Sequence, residues 1–406
     1  MTITPARHAS GDSDASYGYE LPWAFEPKHL RWQETVKRFA AEHVGPGASQ
    51  RSRTASLDPD LVRRAAAMGM FGLLIEPRYG GKGADLRTLC LTIEELAVVD
   101  SSFAATVHVQ SVCAALLQHL VKDRPDIGAD ILPGAASGET FISIALTEPS
   151  GGSDAGNVAT AARQDGDSWV INGAKQFITN CGTPFSRYVI VTAAVGTSAE
   201  GHRPPLSVFL VPLDADGVTV GASYDKLAWR SSDTHPLQFD EVRVPASALL
   251  SEPGRGYREV LQFLSWARIA IAAMSAGLAR GCLNDALRFV RDRTSFGKPL
   301  ASHQAVSFDI AEIASLTATA RTHAYDGAWK YDHGHSIKDT ASVAKLVASE
   351  AANRAAYIAN QLQGGYGSLE ETAVARHFRD ARVLTVGEGT SAVQRILIAR
   401  SLGLPI

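Results

Sequence analysis

Residues 169–180 read Trp-Val-Ile-Asn-Gly-Ala-Lys-Gln-Phe-Ile-Thr-Asn. β-branched and aromatic residues dominate this stretch, and no apolar positions recur at helical spacing. Asn172-Gly173 between Trp169–Ile171 and Gln176–Thr179 predicts a hairpin turn. Four further short runs follow: Tyr188–Thr192, Ser207–Val211, Val218–Val220 and Leu237–Phe239. So many β-rich runs between turn signals predict a small antiparallel sandwich or barrel over residues 147–245.

The chain on either side has a different period. Upstream, Leu30, Val36, Phe39 and Ala40, then Leu61, Val62, Ala65 and Met68, recur at roughly helical spacing. Pro77–Gly81 breaks this pattern as a loop, and Ile93-Glu-Glu-Leu96 opens a helix that continues past Asp100 towards Leu120. Downstream, long apolar-striped stretches cover Tyr257–Arg293, Ser307–His333 and Ile337–Gln363, with shorter ones at Arg376–Arg382 and Ser391–Ser401. Short loops between long helices predict an antiparallel bundle. The expected class is a multidomain α+β protein. Residues 1–20 form a flexible lead-in, 21–146 an N-terminal helical domain, 147–245 the β domain and 246–406 the C-terminal bundle.

Composition narrows the function classes. Lys+Arg 39 against Asp+Glu 42 gives a net charge of −3, without the basic face of a nucleic-acid binder. The polar, acid-bearing N-terminus lacks the apolar core of a secretory signal. The most apolar long run, Ile269–Ala279, falls short of the ~20 residues that span a bilayer, so neither membrane nor nucleic acid is an expected partner. Cys90, Cys113, Cys181 and Cys282 fit no zinc or redox spacing, and reduced thiols in a cytoplasmic protein are expected. His333-x-His335 has no acids at metal spacing, so no metal is expected.

Four segments could carry chemistry. Leu146-Thr-Glu-Pro-Ser-Gly-Gly-Ser-Asp154 could gather backbone N–H groups and hydroxyls on an anion, or be an ordinary Gly-rich turn. In 172–180, Phe177 beside Thr179 could pack on a flat heterocycle and bond its edge, or Phe177 could be a core residue. Arg293, in Arg291-Asp-Arg-Thr-Ser-Phe-Gly-Lys-Pro299, could bind phosphate bidentately or simply complement a helix C-terminus. Near the end come Gln361-Leu-Gln-Gly-Gly-Tyr-Gly367 and Gly387-Glu-Gly-Thr-Ser391. Glu388, on a glycine turn ahead of a helix, could act as a base in a cavity or only favour the helix dipole.

Taken together, the order and spacing of these segments resemble the acyl-CoA dehydrogenase family of flavoproteins from about Leu21 to Ile406. The resemblance implies that helix–sheet–helix architecture, with a C-terminal four-helix bundle, and an FAD cofactor. It implies FAD contacts from Leu146, Thr147, Gly152, Ser153, Phe177 and Thr179. Arg293, Ser295, Phe296, His303 and Gln304 match the segment that reaches the FAD of a neighbouring subunit. Gln361, Gly364 and Gly365 match the Gln-x-x-Gly-Gly element at the adenosine diphosphate, and Thr390 and Gln394 the C-terminal flavin contacts. Glu388 matches the catalytic base of the short- and medium-chain branch. Another branch carries its base where this chain has Ala267, which leaves Glu388 as the candidate. Ser153, Ser265, Arg268, Gly387 and Gly389 are the implied substrate contacts.

The implied reaction is α,β-dehydrogenation of an acyl thioester, with the α-proton going to Glu388 and the β-hydride to flavin N5. Implied partners are an electron-transfer flavoprotein and three further copies of the chain, a dimer of dimers with FAD at subunit interfaces. The place belongs to fatty-acid or secondary metabolism. The chain departs from the family in several places. Gly387 stands where Tyr is common, which opens the pocket wall to a branched, cyclic or bulky acid. Phe177 replaces the usual Trp. Ser265-Trp-Ala precedes Arg268 where relatives often have an Asp that contacts the CoA arm, which makes a carrier-protein-bound acyl group a rival to acyl-CoA. Two other readings share the fold. Glu388 counts against a flavin monooxygenase or a nitroalkane-type oxidase, and the intact motifs count against a non-catalytic flavin-binding relative.

Overall fold

A computed structural model of the chain describes residues 20–196 and 204–405. The expected lead-in, apart from Glu20, lies outside the described residues.

The helical N-terminal part is punctuated by caps. Helix α1 (Pro27–Phe39) opens on a proline, whose missing N–H costs nothing in a first turn. Helices α2 (Ala48–Thr54) and α3 (Pro59–Ala67) follow. The apolar run from residue 86 to 120 is two helices, α4 (Leu86–Val99) and α5 (Ser101–Leu120), so the α4 helix starts earlier than Ile93. Asp100 divides them. Its backbone is extended, and its carboxylate accepts from the Ser102 and Phe103 N–H groups and pairs with Arg51 at 2.7 Å. Helix α6 (Pro125–Ser137) leads to the sheet.

The sheet begins at β1 (Phe141–Ala145), ahead of the expected boundary at 147. Four of its five residues are buried, so no alternation distinguishes it from a core helix segment. Strands β2 (Ala161–Asp165), β3 (Ser168–Thr179), β4 (Ser186–Val195), β5 (Leu206–Pro212), β6 (Val218–Val220) and β7 (Thr234–Pro245) complete a seven-stranded sheet. The pairing is mixed, not wholly antiparallel. β1 and β2 both run parallel to β4, while β2–β3, β3–β7, β4–β5 and β6–β7 are antiparallel. A long return through β2 and β3 separates β1 from β4, which is what a parallel neighbour requires.

Asn172-Gly173 is not a hairpin turn. It lies inside β3, where the register against β7 shifts between Ile171 and Gly173. Gly173 has φ +151, and a Cβ there would sit 2.5 Å from the Thr160 hydroxyl. The requirement for glycine is real, but it serves a bulge and a close approach. The hairpin turn is Gly166-Asp167, between β2 and β3.

Beyond the sheet, α7 (Gly256–Asp292) is 37 residues long and runs through the core. It packs against α4, α8 (Gln304–Asp332) and α9 (Lys338–Leu362). Small residues set the approach: a Cβ on Gly277 would lie 2.2 Å from the Glu94 carbonyl of α4. Between α7 and α8, β8 (Thr294–Ser295) and β9 (Lys298–Pro299) form a tiny hairpin. Helices α10 (Ala373–Leu384) and α11 (Ser391–Ser401) close the chain. Helices α5 and α7 are long and apolar enough to cross a membrane, contrary to the short run expected within α7. Their apolar windows are 78% and 76% buried inside the protein, as core helices are. All four cysteines are free and buried.

Candidate active site

Glu388 stands in the turn between α10 and α11. Its φ is +55, a left-handed conformation that costs a non-glycine residue energy and persists where the surroundings impose it. Three helices impose it. The Glu388 carbonyl accepts from Arg268 Nε of α7 at 3.3 Å and from Gln394 Nε2 of α11 at 3.1 Å. The Gly389 carbonyl accepts from the same Gln394 amide at 2.9 Å and from Lys345 Nζ of α9 at 2.8 Å. Gly389 has φ +92, and a Cβ there would meet Gln394 Nε2 at 2.7 Å. The Thr390 hydroxyl caps α11 by accepting from the Val393 N–H. Among the described residues, no acceptor meets the backbone N–H of Glu388.

The electrostatics are those of an acid beside sheltered cations. Lys345 is wholly buried, and burial brings its ammonium down to about 8 against the opposing charge of Glu388. Burial also lowers Arg268, again opposed by Glu388. The Glu388 side chain keeps 22% of its exposure and points towards α5, with His108 Nε2 3.9 Å from Oε1. Cys113 lies nearby on α5, its thiol pushed up by burial and by the Glu388 charge. A Cβ added to Gly387 would meet only the Val383 carbonyl oxygen, at 3.7 Å, so this side of the turn is open. Ser265 lies one turn before Arg268 on α7, half-buried.

The loop after β1 is held by a buried ion pair that sequence reasoning missed. Glu148 accepts from Lys175 Nζ at 2.8 Å and from the N–H groups of Ala159 and Thr160. Burial would raise its carboxyl, but these donors outweigh that and hold it down to about 2. Lys175 also reaches the Leu146 carbonyl, and the Gln176 N–H donates to the Thr147 carbonyl. The loop is thereby tied along β3, with Gly152 and Ser153 exposed. Phe177 is 61% exposed at φ +60 and packs on Tyr224 at 5.2 Å, so it is no core residue. Thr179 is half-buried on the same strand.

A third group lies elsewhere. Arg293, Ser295, Gly364 and Gly365 line one cavity of about 400 Å3. Gly364 and Gly365 have nothing within 4 Å of where a Cβ would be. Phe289, Gln363 and Tyr366 also line it; the last two lie in the glycine-rich segment picked out from the sequence, though none of the three was given a role there. Gln361 does not line it; it is exposed on α9, and Gln363 is the amide at the cavity. Phe296 is 93% exposed at the tip of the β8–β9 hairpin. His303 Nε2 lies 3.2 Å from the Ser295 carbonyl, and Gln304 is exposed at the start of α8. This cavity shares no lining residue with the Glu388 turn or the Phe177 strand. His333 and His335 stack on Trp329. The group with metal-ligand spacing among the described residues is Glu26, His29 and Asp85, which Lys28 and Arg87 already neutralise.

The fold is thus helices, a mixed sheet and a helical bundle, with a strained carboxylate turn and two exposed glycine-bearing surfaces. Family models describe the same three parts. Residues 26–139 match the acyl-CoA dehydrogenase N-terminal domain, 143–242 the middle domain and 254–403 the C-terminal domain. The chain is 37% identical over 374 residues to the probable acyl-CoA dehydrogenase YngJ of Bacillus subtilis, covering 91% of this chain and 96% of that protein. The structure of butyryl-CoA dehydrogenase from Megasphaera elsdenii matches with TM-score 0.87 at 31% identity, covering 93% of this chain and 98% of the other. A glutaryl-CoA dehydrogenase from Mycobacterium smegmatis in complex with FADH2 matches with TM-score 0.87 at 27% identity, covering 95% and 96%. The chain belongs to the acyl-CoA dehydrogenase family.

Proposed function

We propose that this protein is an FAD-dependent dehydrogenase that introduces an α,β double bond into an acyl-CoA, with Glu388 as its base. The carrying observation is the Glu388 turn: a carboxylate on a strained backbone whose carbonyls are pinned from three helices.

The residues present fit the cofactor. Phe177 offers an exposed aromatic face and Thr179 a hydroxyl beside it. Gln394 is buried with its Oε1 unpaired. Around the cavity, Arg293 and Ser295 supply phosphate donors, and Gly364 and Gly365 leave room for close backbone approach. FAD, when bound, supplies the hydride acceptor. The chain's own residues do the proton work. Glu388 takes the α-proton, and its backbone N–H donates to the thioester oxygen as negative charge develops there. A bound acyl chain excludes water from the carboxylate, which raises its basicity when the proton moves.

The cavity and the Glu388 turn lie apart in one chain. This supports FAD sites completed between subunits of a homotetramer, with 293–304 and 361–365 serving a neighbour's cofactor. Electrons pass on to an electron-transfer flavoprotein. Gly387 leaves room for a branched or cyclic acyl group. The free, buried cysteines suit a cytoplasmic location.

The test is anaerobic bleaching of the bound flavin by a panel of acyl-CoAs and the same acids on carrier proteins. Glu388→Gln should keep its FAD and fail to bleach with any panel member that bleaches the wild type. Bleaching of that variant at the wild-type rate would remove Glu388 from the mechanism.

A further inference from the structure

The three donors that pin the Glu388 turn all bond backbone carbonyls, and none of them touches the carboxylate. The side chain therefore needs something else to fix its direction. The ionisable side chain within ion-pair range of it, among the described residues, is His108 at 3.9 Å. That imidazole is 2% exposed, and neither ring nitrogen has a hydrogen-bond partner among the described residues. A buried polar group without a partner is costly, so a ring in this position should bond whatever acceptor it can reach. The charged and ionisable groups around the pair are Arg268 from α7, Lys345 from α9 and Cys113 from α5. The two cations donate to loop carbonyls, and the thiol stays protonated by burial. The imidazole and the carboxylate are left to each other.

We propose that His108 is the positioning residue for Glu388. Its Nε2–H donates to Oε1, directly after a shift of less than about 1 Å or through one bridging water. That bond fixes the carboxylate rotamer and divides the two oxygens. Oε1 is held by α5, and Oε2 keeps its lone pairs for the substrate's α-proton. A base held in one orientation meets the α-carbon without first ordering itself. The inference rests on Glu388 being the base.

Two measurements on the FAD-loaded protein test it. A crystal structure is expected to place His108 Nε2 within about 3.2 Å of a Glu388 carboxylate oxygen, or one water bonding both. A ring bonded to another partner, with Glu388 turned away, overturns the proposal. In the second, anaerobic bleaching is followed with butyryl-CoA and with the thioester that bleaches the wild type fastest. His108→Leu should slow the limiting rate about tenfold while half-saturation changes by less than about twofold. His108→Gln, which keeps an N–H at the same reach, should recover most of that loss. An unchanged rate in the Leu variant, or a slow rate that Gln does not restore, overturns the assignment. A wild type bleached by no thioester would instead sink the dehydrogenase reading, and the crystal structure would still decide the pairing.

Discussion

Lys345→Met tests how the Glu388 turn is held. The Lys345 ammonium is wholly buried and donates to the Gly389 carbonyl at 2.8 Å. Burial brings it from an ordinary 10.5 to about 8, with the Glu388 charge pulling the other way. At ~1.4 kcal/mol per tenfold change in proton affinity, a charged Lys345 costs the folded state about 3 kcal/mol. Below pH 8 the folded and unfolded chains both carry the proton, and this cost is fully present. Between pH 8 and 10.5 the folded chain gives up the proton while the unfolded chain keeps it, so stability rises with pH. Methionine fills similar space without a charge and has no such titration. The Gly389 carbonyl keeps its Gln394 donor at 2.9 Å, so the variant should be close to the wild type in stability at pH 7. Relative to the wild type it should then lose about 3 kcal/mol between pH 7 and 10.5. Lys226, also lowered to about 8 by burial, is present in both proteins and cancels. Urea unfolding of the FAD-loaded proteins, followed by tryptophan fluorescence at a series of pH values, reads the difference. Parallel pH curves would refute the account of Lys345 as a buried, charged pin. Because the Glu388 charge holds the Lys345 proton on, Glu388→Gln should move the window below pH 8.

Two further substitutions probe the same turn. Gly389→Ala puts a side chain at φ +92 and 2.7 Å from Gln394 Nε2, so it should push the amide off both carbonyls. Flavin bleaching should fall by more than about tenfold at a stability cost of about 1–2 kcal/mol, read by stopped flow and urea unfolding. At Gly387 a Cβ would meet only the Val383 carbonyl oxygen, at 3.7 Å, so Gly387→Tyr should fold normally. Competition between straight-chain and cyclic acyl-CoAs should show it disfavouring the cyclic acid about tenfold or more, and an unchanged ratio would exclude position 387 from the pocket wall.

The fold was legible where the hydrophobic period changes. Helical spacing gives way to β-rich runs and then returns, and no tertiary contact is needed to see it. Local patterns failed where one residue type serves two geometries. Asn172-Gly173 reads as a hairpin, yet its glycine answers to Thr160 and to a register shift within β3. Strand β1, buried at four of five positions, carries no alternation to mark it as a strand. The site divides along the same line. Glycines, a capping threonine and an acid on a turn are backbone requirements, and a backbone requirement leaves its trace in neighbouring residues. A side chain's partner leaves none. Glu148 meets Lys175 across 27 residues, Lys345 meets the Gly389 carbonyl across 44, and Arg268 meets the Glu388 carbonyl across 120. His108 sits mid-helix among Val107, Val109 and Val112, where a sequence offers no reason to prefer it to any core histidine. Only when α5 packs near the α10–α11 turn does its unpaired imidazole come within 3.9 Å of the Glu388 carboxylate. The sequence motif thus marked the turn that carries Glu388, while the side chains that hold that turn, Arg268 and Lys345, come from helices far away in the chain.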